Sequence, residues 1–153
     1  MNRLNPIVKR SFCLGLGVVT VLVAGCASMD KPKPVLTGAQ EVPPVTTTAT
    51  ATHDISARLS KCYLSSATTC PVLTGTVWTT GINGTAAHVH QGAAGQNGPV
   101  IVTLIKTGDG VWSVPQDSAL TDAQYQAYWD GLLYVNVHSD ANKSGELRAQ
   151  LKP

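Results

Sequence analysis

Charge is what this 153-residue chain has least of. Only 13% of its residues are Asp, Glu, Lys or Arg, and the formal net charge is +2. Three of the bases (Arg3, Lys9, Arg10) fall in the first 25 residues, which contain no acid. Beyond them stand 8 basic and 9 acidic residues, a net charge of −1. No basic stripe is left to neutralise phosphates, which excludes a nucleic-acid partner. Disorder is excluded too, because 43% of the chain is hydrophobic and one domain-sized core can be built from it.

A long hydrophobic run is also missing. Phe12 to Gly25 is apolar, but as a helix it would rise about 21 Å, against a hydrocarbon core of about 30 Å. A basic start, a short apolar middle and small residues at its end make a secretory signal. The run closes on Val23-Ala24-Gly25-Cys26, which resembles a bacterial lipobox, so Cys26 is expected to carry the lipid. Ala27 stands where an aspartate would retain the protein at the inner membrane, which points to the outer membrane, facing the periplasm or cell surface. The expected division is signal 1–25, lipidated cysteine and Pro-interrupted tether 26–34, and domain 35–153. The membrane is then a partner through the lipid alone.

Cysteines are few, and two are spent early. Cys13 leaves with the signal and Cys26 is the anchor; Cys62 and Cys70 remain. In an oxidising compartment such a pair closes, and so short a loop contributes about 2–3 kcal/mol.

Most catalytic signatures are absent as well. No serine stands in a nucleophile-elbow sequence, and local spacing suggests no carboxylate pair. Gly92 to Gly98 is glycine-rich, but neither a lysine nor a helix follows it. That makes it a turn rather than a phosphate cradle. No catalytic residue is assigned, and the chain reads as a binding module more than an enzyme.

What is present is period-two alternation. Ala49, Ala51, Ile55, Ala57 and Leu59 share one face of a first strand, with threonines, Asp54 and Arg58 on the other. Further strands are predicted over 72–80, 85–91, 99–106, 133–138 and 146–152, with edge pieces near 35–41 and 111–114. One helix interrupts them. Thr121 and Gln124 have capping-box spacing, Leu120 and Tyr125 can staple the first turn, and Gly131 is the stop. The fold class is therefore all-β, an antiparallel, Greek-key-like sandwich or flattened barrel with one short helix.

The chain has four histidines, and three of them fall in two strands. The odd-numbered residues Ala87, Val89, Leu133, Val135, Val137, Leu147 and Leu151 form a core face. His88, His90 and His138 therefore point away from it, into one external site if their strands are neighbours. Neutral imidazoles suit copper or zinc. Two at i and i+2 on a strand, with a third from its neighbour, form a trigonal ligand set. Pairing His138 with Glu146 would set Arg148 beside Asn136 and make Glu146 a fourth ligand or an outer hydrogen-bond acceptor. His53, on the apolar face of the first strand, is a core or rim residue and a second, weaker candidate for that role.

These segments together resemble a known family. Leu36-Thr-Gly-Ala-Gln-Glu-Val-Pro-Pro-Val45, Ala87-His-Val-His90, Gly98-Pro-Val-Ile-Val102, Gly131-Leu-Leu-Tyr-Val-Asn-Val-His138 and Gly145-Glu-Leu-Arg-Ala-Gln-Leu151 resemble the CHRD domain, named after chordin. The resemblance implies a secreted β-rich module without one established activity, and in bacterial members His-x-His and Asn-x-His look like a metal site. The stretch 62–70 looks like an insertion relative to that pattern. The His-Val-His strand is also similar to that of Cu,Zn superoxide dismutase, which needs more histidines than this chain has. Three functions follow as expectations: a lipid-anchored module holding a copper or zinc ion, a metal-dependent redox enzyme, or a metal-free adhesion or assembly module.

Overall fold

The predicted first and second strands are each broken in the middle, and the break builds the molecule. The computed structural model describes residues 31–61 and 69–153; the expected signal segment, Cys26, the start of the tether and Cys62 lie outside the described residues. The first strand is β2 (Thr50–His53) followed by β3 (Ser56–Lys61), after a short β1 (Val35–Leu36). The second is β4 (Thr69–Thr74) followed by β5 (Thr76–Thr80). The two run antiparallel, β2 against β5 and β3 against β4. At the bend, Asp54 Oδ1 accepts the Thr76 N–H at 2.7 Å, and the Asp54 N–H bonds the Thr76 carbonyl at 3.1 Å. Gly75 stands opposite with φ +130°, and a Cβ there would lie 2.6 Å from the Ile55 Cα. Only glycine permits that approach. Alternation along a strand carries no mark of such a corner.

Past the bend the chain adds β6 (Gly84–Gln91), β7 (Val100–Thr103), β8 (Ile105–Gly108), β9 (Val111–Ser113) and β10 (Ser118–Ala119). Then come α1 (Asp122–Trp129), β11 (Leu133–Ser139) and β12 (Leu147–Gln150). Three antiparallel sheets result, with orders β1-β2-β5-β9-β8, β10-β4-β3 and β12-β11-β6-β7. They enclose one core as a sandwich and, among the described residues, do not close into a barrel.

All seven odd-numbered residues predicted for the core face, Ala87, Val89, Leu133, Val135, Val137, Leu147 and Leu151, are fully buried. Burying one such Val or Leu contributes about 1.5–3 kcal/mol. The helix forms as its capping residues dictate. Thr121 Oγ1 accepts the Gln124 N–H at 3.1 Å, Gln124 Oε1 accepts the Thr121 N–H at 2.9 Å, and Gly131 (φ +69°) follows. Ala127 and Tyr128 turn into the core, which supplies the stability that so short a helix lacks alone.

The tether needs a correction at its end. Pro34 accepts the His53 N–H at 3.2 Å, and Lys33 Nζ lies 3.4 Å from the centre of the Trp78 ring. Lys33 and Pro34 thus already pack on the domain. Proline and an exposed cation read as linker in sequence, while the ring and strand edge that hold them come from distant residues.

Candidate metal centre

Strands β6 and β11 are neighbours, with Val89 opposite Val135, His88 opposite Asn136 and His90 opposite Tyr134. Because side chains alternate, the even-numbered residues of both strands share the face away from the core. Strand β12 extends the row, placing Arg148 opposite Asn136 as expected. One ring nitrogen from each of His88, His90 and His138 lies within 4.8 Å of the others. The three predicted imidazoles therefore converge.

The face is external only in part: His88 and His138 are half-buried, and the rest is covered. His90 is 9% exposed, Asn136 2% and Arg148 1%. The cover is the glycine-rich segment 92–98, a turn as expected. Arg148 pins it with hydrogen bonds to the carbonyls of Ala93 (3.0 Å) and Gln96 (2.8 Å) and to Asn97 Oδ1 (3.3 Å). The guanidinium carbon lies 3.5 Å from the centre of the Tyr134 ring, and Tyr134 stacks on His90 at 4.7 Å between centroids, 3° from parallel. Buried polar groups behind the sheet thus form a second, hydrogen-bonded layer. Strand parity identified the face but carried no information about what lies on it.

Hydrogen bonds set the rings. Nδ1 of His138 is 3.0 Å from the Lys143 carbonyl, and Nδ1 of His90 is 2.9 Å from the Gly98 carbonyl. A carbonyl only accepts, so both nitrogens carry protons. The neutral His138 ring then offers its Nε2 lone pair, whereas Nε2 of His90 faces the Asn136 amide oxygen, another acceptor, and has to turn from it to ligate. This outer hydrogen bond is the usual support of a metal-ligating histidine. Nε2 of His138 lies 2.8 Å from Nδ1 of His88, and Nε2 of His90 lies 3.0 Å from Asn136 Oδ1. Metal–nitrogen bonds of about 2.0–2.1 Å set tetrahedral ligands roughly 3.3 Å apart. The closest pair, 2.8 Å apart, is about half an ångström too near, and a pair at the full 4.8 Å about an ångström and a half too far, so the rings must move by about that much. The donor set fits a borderline divalent ion such as copper(II) or zinc. Burial holds the His88 and His138 pKa values below the ordinary 6.5. The neighbouring imidazoles add to this at both residues, and the Lys143 carbonyl partly offsets it at His138.

Glu146 and His53, the two further candidates, do not join the group. The Glu146 carboxylate is held by Ser139 Oγ and by Thr47 Oγ1 (2.7 Å). Those hydrogen bonds, with one from Asn142, outweigh its burial and keep its pKa below the usual value. His53 is 1% exposed, in the core-facing row with Val77 and Trp112. Its Nδ1 accepts the Ile55 N–H at 3.1 Å, and burial lowers its pKa to about 4 against the pull of Asp54. It is a core histidine, as its place on the apolar face implied.

Glu41 has no assigned role in the sequence reading, yet it sits behind this layer, 4% exposed. Burial pushes its carboxyl up to about 7, although Arg148, Asn136 and the Val42 backbone each pull it down. The signal was a lone acid in the apolar, proline-rich stretch 36–45. No curated protein and no solved structure matches the chain. A family model does match, over residues 33–151 and therefore across all three sheets and the histidine cluster. The chain belongs to the CHRD domain family.

Proposed function

We propose that this protein is an exported, lipid-anchored CHRD module that binds a copper or zinc ion through His88, His90 and His138. The observation that carries the reading is the convergence of three imidazoles, two of them already tied to backbone carbonyls through the nitrogen facing away from the cluster. Such bonds prepay the orientation a ligand set requires. The ion would serve as a bound cargo or structural group, and no residue is assigned to turnover. Copper(II) and zinc(II) titrations of the purified domain, followed by calorimetry and, for copper, electron paramagnetic resonance, test it. Each single His→Ala variant should bind at least about a hundredfold more weakly, since loss of an outer partner alone costs 10–100-fold. His53→Ala should change affinity little. Equal affinity for wild type and the triple variant, or no binding at all, would refute the site. Affinity should fall with acid, because protons compete for the same lone pairs. The lowered His88 and His138 values displace that competition below pH 6.5.

The export reading rests on the basic, apolar and small-residue succession before Cys26. Strand β3 ends at Lys61, opposite Thr69, so Cys62 follows the last paired residue of one strand and Cys70 stands near the start of the other. We expect these two to form a disulfide. One intact-mass measurement on protein isolated from the envelope checks both features. The mature chain should begin at a lipidated Cys26 and lack two hydrogens until reduced, and Cys26→Ala should lose the lipid mass and the membrane association. An unlipidated wild type, or free thiols under denaturing, non-reducing conditions, would count against the respective assignment.

A further inference from the structure

We infer that Glu146 is a positioning residue of the histidine site: its carboxylate locks the 139–145 turn, and the Lys143 carbonyl of that turn fixes the tautomer of His138. The effect on affinity rests on the metal reading, whereas the turn and the tautomer rest on hydrogen bonds alone. Two short chains of donors end on the buried carboxylate. In one, the Asn142 N–H bonds Ser139 Oγ at 3.1 Å, and that hydroxyl donates to Glu146 Oε2. In the other, the Ala49 N–H bonds Thr47 Oγ1 at 3.1 Å, and that hydroxyl donates to Oε1 at 2.7 Å. The Asn142 side chain adds a third bond. Burial alone would raise the carboxyl, but these bonds hold it below its ordinary value, so it is ionised at neutral pH and only accepts. It therefore fixes the direction of both hydroxyls, and each oxygen is left to receive a backbone N–H.

The turn carries that order to the ligand. The Ser139 and Gly145 N–H groups both bond the Asn142 carbonyl, at 3.3 and 3.1 Å. Asn142 is thus held through its N–H, its carbonyl and its side chain, and Lys143 is the next residue. Asp140, Ala141, Lys143 and Ser144 are exposed, so Glu146 is the buried side chain to which the turn is tied. The Lys143 carbonyl lies 3.0 Å from Nδ1 of His138, which must carry a proton. Nε2 then holds the lone pair, and it accepts Nδ1–H of His88 at 2.8 Å. Every hydrogen bond on this path pairs a donor with an acceptor. In the other tautomer of His138, Nε2 would carry the proton and have no lone pair for an ion. A turn that drifts from His138 gives up the selection.

Two alanine variants cut the path at different points. Glu146→Ala removes the anchor, and Ser139→Ala keeps the carboxylate but removes the hydroxyl that ties it to the turn. Thr47→Val is the control, because it removes the other arm of Glu146 and leaves the turn tied. Nitrogen-15 NMR of the His138 ring in metal-free protein should show one tautomer, protonated at Nδ1, in wild type and in Thr47→Val. In Glu146→Ala and Ser139→Ala both ring nitrogens should move toward the average of the two tautomers. Copper(II) or zinc(II) should bind each of these two variants about 10- to 100-fold more weakly, the usual effect of an outer partner. The double variant should bind no more weakly than the worse single one, since both changes cut one path. Lost stability by itself would not move the tautomer, and urea unfolding reads it separately for all three variants. If wild type binds no metal while the His138 shifts follow the variants, the metal reading fails and the positioning role stands. Unchanged His138 shifts in both alanine variants, or additive losses in the double variant, overturn the positioning role. Should Glu146→Ala not fold, Ser139→Ala decides alone through the same His138 shifts.

Discussion

Arg148→Ala should destabilise the domain by about 3–5 kcal/mol, the range for breaking a buried, hydrogen-bonded charge. Arg148 is 1% exposed, the largest side chain buried to that degree among the described residues. It carries three hydrogen bonds into segment 92–98 and stacks on Tyr134. Its removal leaves the carbonyls of half-buried Ala93 and exposed Gln96 to find water in place of their donor. It also removes the charge that partly offsets the burial of Glu41. Lysine should rescue poorly, because one ammonium cannot span three acceptors as the guanidinium fork does. Urea unfolding of wild type, Arg148→Lys and Arg148→Ala reads the effect. Hydrogen exchange at 92–98 should quicken in the variants, since these bonds anchor the cover over His90. A loss under 1 kcal/mol for alanine would mean that the cover is held by something else.

Two buried groups should give stability pH slopes of opposite sign. His53 titrates near 4 in the folded protein and at 6.5 when unfolded. Between those values the unfolded chain takes up a proton that the folded chain refuses, so stability falls as pH drops from 6.5 to 4. Glu41 does the reverse. Its folded value of about 7 against 4.5 means that the folded chain holds the proton longer, so stability falls as pH rises from 4.5 to 7. Each shift is about 2.5 units, on the order of 3 kcal/mol at 1.36 kcal/mol per unit. The wild type should therefore be nearly flat in these two contributions between pH 4.5 and 6.5. Glu41→Gln leaves His53 alone and should grow more stable as pH rises through that window. His53→Gln should grow less stable. Parallel pH profiles for the two variants would contradict the assignment.

The architecture around these groups was partly written in the chain. Strand alternation located the core face residue by residue, since burial imposes period two on any half-buried strand. Capping chemistry located the helix, because Thr121 and Gln124 satisfy backbone donors three residues apart. The corner at Gly75 was not legible. One glycine among threonines does not announce that Ile55, twenty residues earlier, passes so close that a Cβ at the glycine would lie 2.6 Å from the Ile55 Cα.

For the site the division is sharper. The sequence by itself determined that His88, His90 and His138 share a face and that His53 does not, because parity along a strand is a local property. Only the tertiary structure decided that β6 and β11 are neighbours in the register that brings the three rings together. It also placed the 92–98 cover, Arg148, Asn136 and Glu41 around them, and it withdrew Glu146 to Ser139 and Thr47. Those partners lie up to 99 residues apart. Pairing over such separations is set by which sheets pack and which loops fold back, and no periodicity in the chain encodes it.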